Sequence, residues 1–186
     1  MKELILNEEK LIERCLESDR HAQEFLYNQH YSALYLIAMR YLSDHHDAED
    51  AIILAFTKVF KNLKKFTFQG QGSLGKWIRT ILINEAIKLL KKKKELYYKD
   101  DLQHLAIKSE SANGLEQLQA SELLSLIERL PPGYRTIFNL FVIEGYTHKA
   151  IADLLKISEN TSKTQLKKAR NSLQNSINKE QANGTF

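Results

Sequence analysis

The sequence predicts an all-α protein made of two small helical domains joined by a flexible linker, and three observations carry that expectation. The 186 residues include only 7 Gly and 2 Pro while 43% are hydrophobic, a composition poor in helix breakers and rich enough to give each domain a core. Apolar residues recur at helical spacing through both ends of the chain, with no alternating strand pattern and no internal repeat. Over residues 99–114 that period is lost and Ser, Asn, Asp and Gln accumulate, which is linker composition. The expected division is a first domain at 7–97, a linker at 98–115, a second domain at 116–178 and a tail at 179–186.

The elements follow in order. Asn7 is placed to cap a short helix ending near Leu16, and Ser18 or Asp19 to cap the next, which buries Phe25, Leu26, Leu34, Ile37, Ala38 and Tyr41. Ser43-Asp44 punctuates that helix. A third carries carboxylates in its first turn and runs through Ile52, Phe56, Val59, Phe60 and Leu63. After the loop 66–72, Ser73 is expected to cap a fourth helix through Trp77, Ile78, Ile81, Leu82, Ile87 and Leu90, ending in Lys91-Lys92-Lys93-Lys94. In the second domain a helix over 116–130 stops before Pro131-Pro132, because the residue before proline avoids the helical region. Proline suits the first turn of the next helix, 134–143, and Gly145 is placed to end it. Two further helices are expected at 148–155 and 159–177.

Bulk properties narrow the function. Lys and Arg number 27 against 23 Asp and Glu, a net charge of +4 that modestly favours an anionic partner. The single Cys15 cannot close an intrachain disulfide and reads as a small apolar helix residue. No signal peptide, anchor or membrane-length apolar stretch is evident, so a cytoplasmic protein without membrane contact is expected. His45 and His46 beside the carboxylates do not make a metal site, since adjacent helical positions point apart. Neither a paired nucleophile and base nor a phosphate-cradling glycine loop is found, so no enzyme and no cofactor are expected.

The last third carries the clearest motif. Across 148–158 a short helix turns Ile151, Ala152 and Leu155 inward, and small Ala152 lets a second helix cross closely. Ser158 caps that second helix, whose buried stripe is Ser162, Leu166, Ala169 and Leu173. The opposite stripe is Asn160, Lys163, Thr164 and Lys167, flanked by Gln165, Lys168 and Arg170. Amides, hydroxyls and cations on one face suit base edges and phosphates of duplex DNA, and the helix amides near Thr161 and Ser162 would add a phosphate site. An ordinary two-helix corner with a solvated lysine face is the alternative.

The stretches Leu130-Pro131-Pro132-Gly133-Tyr134-Arg135-Thr136-Ile137-Phe138, Glu144-Gly145-Tyr146-Thr147-His148-Lys149-Ala150-Ile151-Ala152 and Thr161-Ser162-Lys163-Thr164-Gln165-Leu166 resemble region four of extracytoplasmic-function sigma factors, especially those of Bacteroidetes type. Asp47-Ala48-Glu49-Asp50, the loop 66–72 and Gly72-Ser73-Leu74-Gly75-Lys76-Trp77-Ile78 through Asn84 resemble region two of the same family. The resemblance implies that the first domain grips core RNA polymerase and melts the minus-ten promoter element, while the second reads the minus-thirty-five element. It also implies an anti-sigma partner. Phe66 and Phe68 in a glycine-containing loop, with Lys61, Lys64 and Lys65 before it and Lys76 and Arg79 after it, supply base stacking beside phosphate neutralisation. Closure of the small core is the other use for Phe66, Phe68 and above all Trp77. Asn84, Lys88 and Lys91 continue the same helix as a flank for duplex phosphates, and Lys93 and Lys94 suit either that edge or a solvated tail. Asp47, Glu49 and Asp50 would meet the clamp helices of the largest polymerase subunit, although carboxylates favour a helix N-terminus in any case.

Five positions depart from the family pattern. Ile53 and Leu54 stand where a Gln and an acidic residue are usual, leaving the helix apolar almost all round and calling for a partner. Lys88 replaces a common Asp, Ala150 a bracing Glu, and Lys156 a turn Gly, the last at about 1 kcal/mol for a left-handed backbone. Two functions therefore stand side by side: a promoter-directing sigma factor, or a DNA-binding regulator derived from one with altered polymerase recruitment.

Overall fold

The computed structural model describes residues 7–97 and 123–182, with side chains at 7–93 and 123–179; the expected linker and the start of the helix at 116–130 lie outside the described residues. The chain divides into two compact units, Met1–Asp101 and Leu102–Phe186. Among the described residues every element is helical, and no helix is long and apolar enough to cross a membrane.

In the first unit α1 spans Glu8–Leu16, α2 Arg20–Leu42, α3 His45–Asn62 and α4 Ser73–Tyr97, with a single 3-10 turn at Leu63–Lys65. Asn7 caps α1, its Oδ1 accepting from the Lys10 amide at 3.1 Å. Asp19 rather than Ser18 caps α2, taking the His21 and Ala22 amides while Arg14 braces its other oxygen; Ser18 instead makes the left-handed bend at φ 62°. Asp44 caps α3 through the Asp47 amide at 2.9 Å. The core of the unit lies where α2, α3 and α4 pack together, on Leu26, Leu34, Tyr41, Ile52, Val59, Leu74, Ile78 and Leu82, all buried. Phe25 is half-buried, at the margin. Cys15 is buried, and burial pushes its thiol up to about 11, which keeps it protonated and unreactive.

In the second unit α5 is described over 123–128. It is followed by α6 (Pro132–Phe138), α7 (His148–Leu155) and α8 (Glu159–Ala182). The helix expected at 134–143 starts two residues earlier and does not stay α-helical. Over Asn139–Ile143 it widens into a π turn, with the Glu144 amide reaching back to the Asn139 carbonyl at 2.9 Å. Arg135 is buried beneath this segment and donates to the Glu128 carbonyl at 2.5 Å, closing the end of α5; burial lowers its guanidinium to about 10, still charged at neutral pH. Leu126, Ile127, Leu130, Ala169 and Leu173 form one core cluster, with Tyr134, Phe138, Ile143 and Ile177 at its margin.

Candidate nucleic-acid interfaces

The second unit builds its candidate surface on α7 and α8. Thr147 caps α7 through the Ala150 amide at 3.1 Å, and Ser158 caps α8 through the Thr161 amide at 3.0 Å. Between the two helices Lys156 adopts φ 57° and ψ 50°, the left-handed turn that joins them without a glycine. Ser162, fully buried, shares a 2.9 Å hydrogen bond with His148 Nδ1, and the His148 ring stacks on Phe141 at 4.3 Å. These contacts fix the start of α7 against α8. Asn160, Thr161, Lys163, Thr164, Lys167, Lys168 and Arg170 are exposed on α8, Lys163 loosely paired with Glu159 at 3.9 Å and Arg170 lying 5.9 Å from the Phe141 ring.

The first unit forms an open cleft between the loop 66–72 and the first turns of α4. It is lined by Lys65, Phe66, Thr67, Gln69, Gln71, Ser73, Lys76, Trp77 and Thr80. Phe66 and Trp77 lie against each other with ring centroids 5.0 Å apart and neither is buried, so they form a half-exposed aromatic wall beside two lysines. A flat π face next to cations and amide or hydroxyl groups is what an unstacked base and its phosphate require. At spacings of three or four residues, Lys76, Thr80, Asn84, Lys88 and Lys91 continue from the cleft along α4.

The chain matches two family models in order: Sigma-70 region 2 over residues 26–95 and Sigma-70, region 4 over residues 120–173. It belongs to the sigma-70 family. Its relatives place it among the ECF RNA polymerase sigma factors. ECF RNA polymerase sigma factor SigW of Bacillus subtilis is 27% identical over 180 residues, which is 90% of this chain and 95% of SigW. ECF RNA polymerase sigma-E factor of Haemophilus influenzae is 23% identical over 186 residues, or 92% of this chain and 96% of its own. The solved sigma factor RpoE from Bartonella quintana, in complex with the anti-sigma factor NepR, shares the fold with a TM-score of 0.53 at 20% identity, over 83% of this chain and 96% of that one.

Set against regions 2 and 4, several expected site residues occupy different surroundings. In region 4 the Ser162 hydroxyl is consumed by His148, and the Thr161 and Ser162 amides are taken by Ser158, so neither the Ser162 side chain nor those amides is available to a phosphate. Gln165 is half-buried with Oε1 turned toward Gly133, where a β-carbon would come within 2.9 Å of it. In region 2 only Lys65, Phe66, Lys76 and Trp77 of the expected strand-binding set line the cleft. Trp77 is therefore not a core residue. Lys61 and Phe68 lie outside it, as do Arg79, Asn84, Lys88 and Lys91 farther along α4.

The polymerase set divides similarly. Glu49 and Asp50 are exposed on α3, and Ile53 and Leu54 beside them are 57% and 41% exposed, an apolar pair left uncovered within region 2. Asp47 differs: its side chain is 16% exposed and paired with Lys93, so it ties the start of α3 to α4, and Lys93 is not a solvated tail. Ser73 does not cap α4 as expected. The cap is the Glu8 carboxylate from α1, which accepts from the Gly72 and Leu74 amides, while Ser73 Oγ accepts from the Gln69 amide at 3.2 Å.

Two further groups were missed from the sequence. Glu85 is buried on α4 between Lys58 at 2.6 Å and Lys88 at 2.8 Å. Burial pushes its carboxyl up, but the hydrogen bonds and charges of the two lysines outweigh that and hold it below the usual carboxylate value. Lys88 is raised in turn by its hydrogen bond to Glu85, so it stays protonated, with its charge paired to that carboxylate. An acidic residue on an otherwise apolar stripe of α4 was the one hint of this triad. Glu8 left no hint, since its partners lie 64 and 66 residues away.

Proposed function

We propose that this sigma factor binds core RNA polymerase and directs promoter-specific initiation by holding the upstream element on α8 and the opened minus-ten strand in the region 2 cleft. What supports this division is the pairing, in one chain, of a half-exposed Phe66–Trp77 wall between Lys65 and Lys76 with a recognition helix that exposes an amide, hydroxyls and four cations. On the duplex we place Asn160, Thr161, Lys163, Thr164, Lys167, Lys168 and Arg170. On the opened strand we place Phe66 and Trp77 with Lys65 and Lys76. Phe68, Lys61, Arg79, Asn84, Lys88 and Lys91 take the flanking backbone.

Glu49, Asp50, Ile53 and Leu54 form the face that meets the clamp helices of the largest polymerase subunit, with apolar contact replacing part of the polar contact usual in the family. Asp47 supports that face from within. The chain performs no catalytic chemistry, uses no metal or cofactor, and works in the cytoplasm. A Bacteroidetes-type member is proposed, from the resemblance of its region 4 stretches to that group. Bartonella RpoE is solved with the anti-sigma factor NepR; a partner of that kind is proposed here too, covering the Ile53 and Leu54 face.

The test mixes purified protein with core polymerase and a promoter library. A stable complex at near-physiological salt and selective transcripts are expected. Absence of a complex refutes the recruiting role. A complex that appears only in the Ile53→Gln, Leu54→Glu double variant favours a DNA-binding regulator.

A further inference from the structure

We propose that Glu8 is a positioning residue for the strand-binding cleft: its carboxylate, contributed by α1, sets the conformation of the glycine loop and the first turn of α4. This rests on reading the cleft as the site of the opened strand. A helix start is ordinarily capped by a side chain within a few residues of it. Here the cap comes from a different helix.

The Leu74 amide donates to Glu8 Oε1 at 2.5 Å and the Gly72 amide donates to Oε2, so one carboxylate spans the first turn of α4. The loop it grips has little else to hold it. Gly70 and Gly72 sit at φ 98° and 84°, and the space where a β-carbon would stand on either contains no atom within 4 Å. No close neighbour at the β-carbon positions forces these left-handed turns, and hydrogen bonds run across both of them. The Ser73 amide returns to the Gly70 carbonyl at 3.1 Å, and Ser73 Oγ takes the Gln69 amide at 3.2 Å.

This short chain of bonds carries the Glu8 constraint into the cleft, because Gln69, Gln71, Ser73, Lys76 and Trp77 all lie within three residues of a clamped amide. The anchor itself is firm. Leu11 and Ile12 bury α1, and Gly75 admits the His30 ring of α2 so closely that a β-carbon there would stand 3.1 Å from Cε1. Glu8, Leu11, His30, Gly72 and Gly75 thus bring α1, α2, α4 and the loop to one point.

Trp77 is the only tryptophan of the chain, so its emission reports the cleft directly. The experiment titrates a short single-stranded DNA oligonucleotide into the full chain and into Glu8→Ala, Glu8→Gln and Ile12→Val. Duplex binding, melting temperature and hydrogen exchange at the Gly72 and Leu74 amides are followed in parallel. Glu8→Ala is expected to weaken single-strand binding by about tenfold, to speed exchange at both amides and to leave duplex affinity unchanged. Glu8→Gln, which keeps one acceptor oxygen, should fall between Glu8→Ala and the native chain. Ile12→Val thins the packing of the same helix without touching the carboxylate, and should lower the melting temperature while keeping single-strand affinity.

Native single-strand affinity in Glu8→Ala, or a loss in Ile12→Val matching that in Glu8→Ala at equal melting temperature, overturns the positioning role. If the native chain itself gives no response to single strands, the reading of the cleft fails. Unchanged amide exchange in Glu8→Ala would then refute the clamp separately, whereas faster exchange would retain it as a loop clamp without a strand to serve.

Discussion

Region 4 presents its proposed DNA surface from one helix, whereas region 2 assembles its cleft from a loop, a helix start and a carboxylate carried by α1. On α8 the exposed cations recur with the helical period, and each side chain stands on a backbone already fixed by its own turn. The cleft lacks that local support, since its loop crosses two glycines in left-handed geometry whose β-carbon positions face open space. On the proposed reading the difference follows from the ligand. A duplex groove is filled by a rigid rod, but an unstacked base needs a concave site, and loops supply concavity at the expense of order. That order has to be returned by contacts from elsewhere. Substitutions on α8 should therefore act locally and additively, while those around the cleft should act at a distance.

The comparison breaks most visibly under a core deletion. Leu140→Ala, at a fully buried side chain in the π turn of region 4, is expected to destabilise that unit by about 2–5 kcal/mol. In urea, the transition followed by circular dichroism should shift, while that followed by Trp77 emission, which reports region 2, should stay in place. A shift of both would show that the two units unfold as one.

On the α8 surface, Lys163→Ala and Lys167→Ala should each weaken duplex binding several-fold and lower the salt slope by about one, adding when combined. Unchanged affinity and slope would refute the proposed orientation of the helix. A smaller gain is expected at the left-handed corner. Lys156→Gly removes β-carbon strain at φ 57° and should raise region 4 stability by about 0.5–1 kcal/mol, visible as a higher urea midpoint.

The smallest effect lies beside Glu8. Burial holds His30 below the ordinary histidine value of 6.5, against the opposing pull of Glu8. The fold therefore favours the neutral ring. That contribution is complete above about pH 6.5 and is lost as the pH falls through the lower folded value. The Trp77-detected urea midpoint should decline over that window, and His30→Gln should flatten the decline.

Features set by a few neighbouring residues could be read from the sequence. The caps at Asn7 and Ser158 were legible because each bonds an amide three residues away, and the strain at Lys156 because the family that the chain resembles usually carries a turn Gly there. The exposed Ile53 and Leu54 followed from counting apolar positions around α3. Contacts between distant segments were not legible. Asp47 reads as an exposed first-turn carboxylate until Lys93, 46 residues on, is folded against it. Ser162 was placed on the buried stripe by its spacing, but the partner of its hydroxyl, His148, 14 residues before it, was not legible. The π turn at Asn139–Ile143 left an unbroken helical pattern in the sequence, because the helix ends at Ile143 and no apolar stripe continues beyond the widened turn to show the shift.

The most direct test of the two-surface account is a footprint of the reconstituted polymerase complex on a promoter that it transcribes, reading opened bases by permanganate and upstream duplex by nuclease protection. With Phe66→Ala, the loss of opened-base reactivity with upstream protection retained is predicted; with the Lys163→Ala, Lys167→Ala pair, upstream protection should weaken first. Normal opening in Phe66→Ala, or loss of both signals together in that variant, would contradict the division of labour between the cleft and the recognition helix.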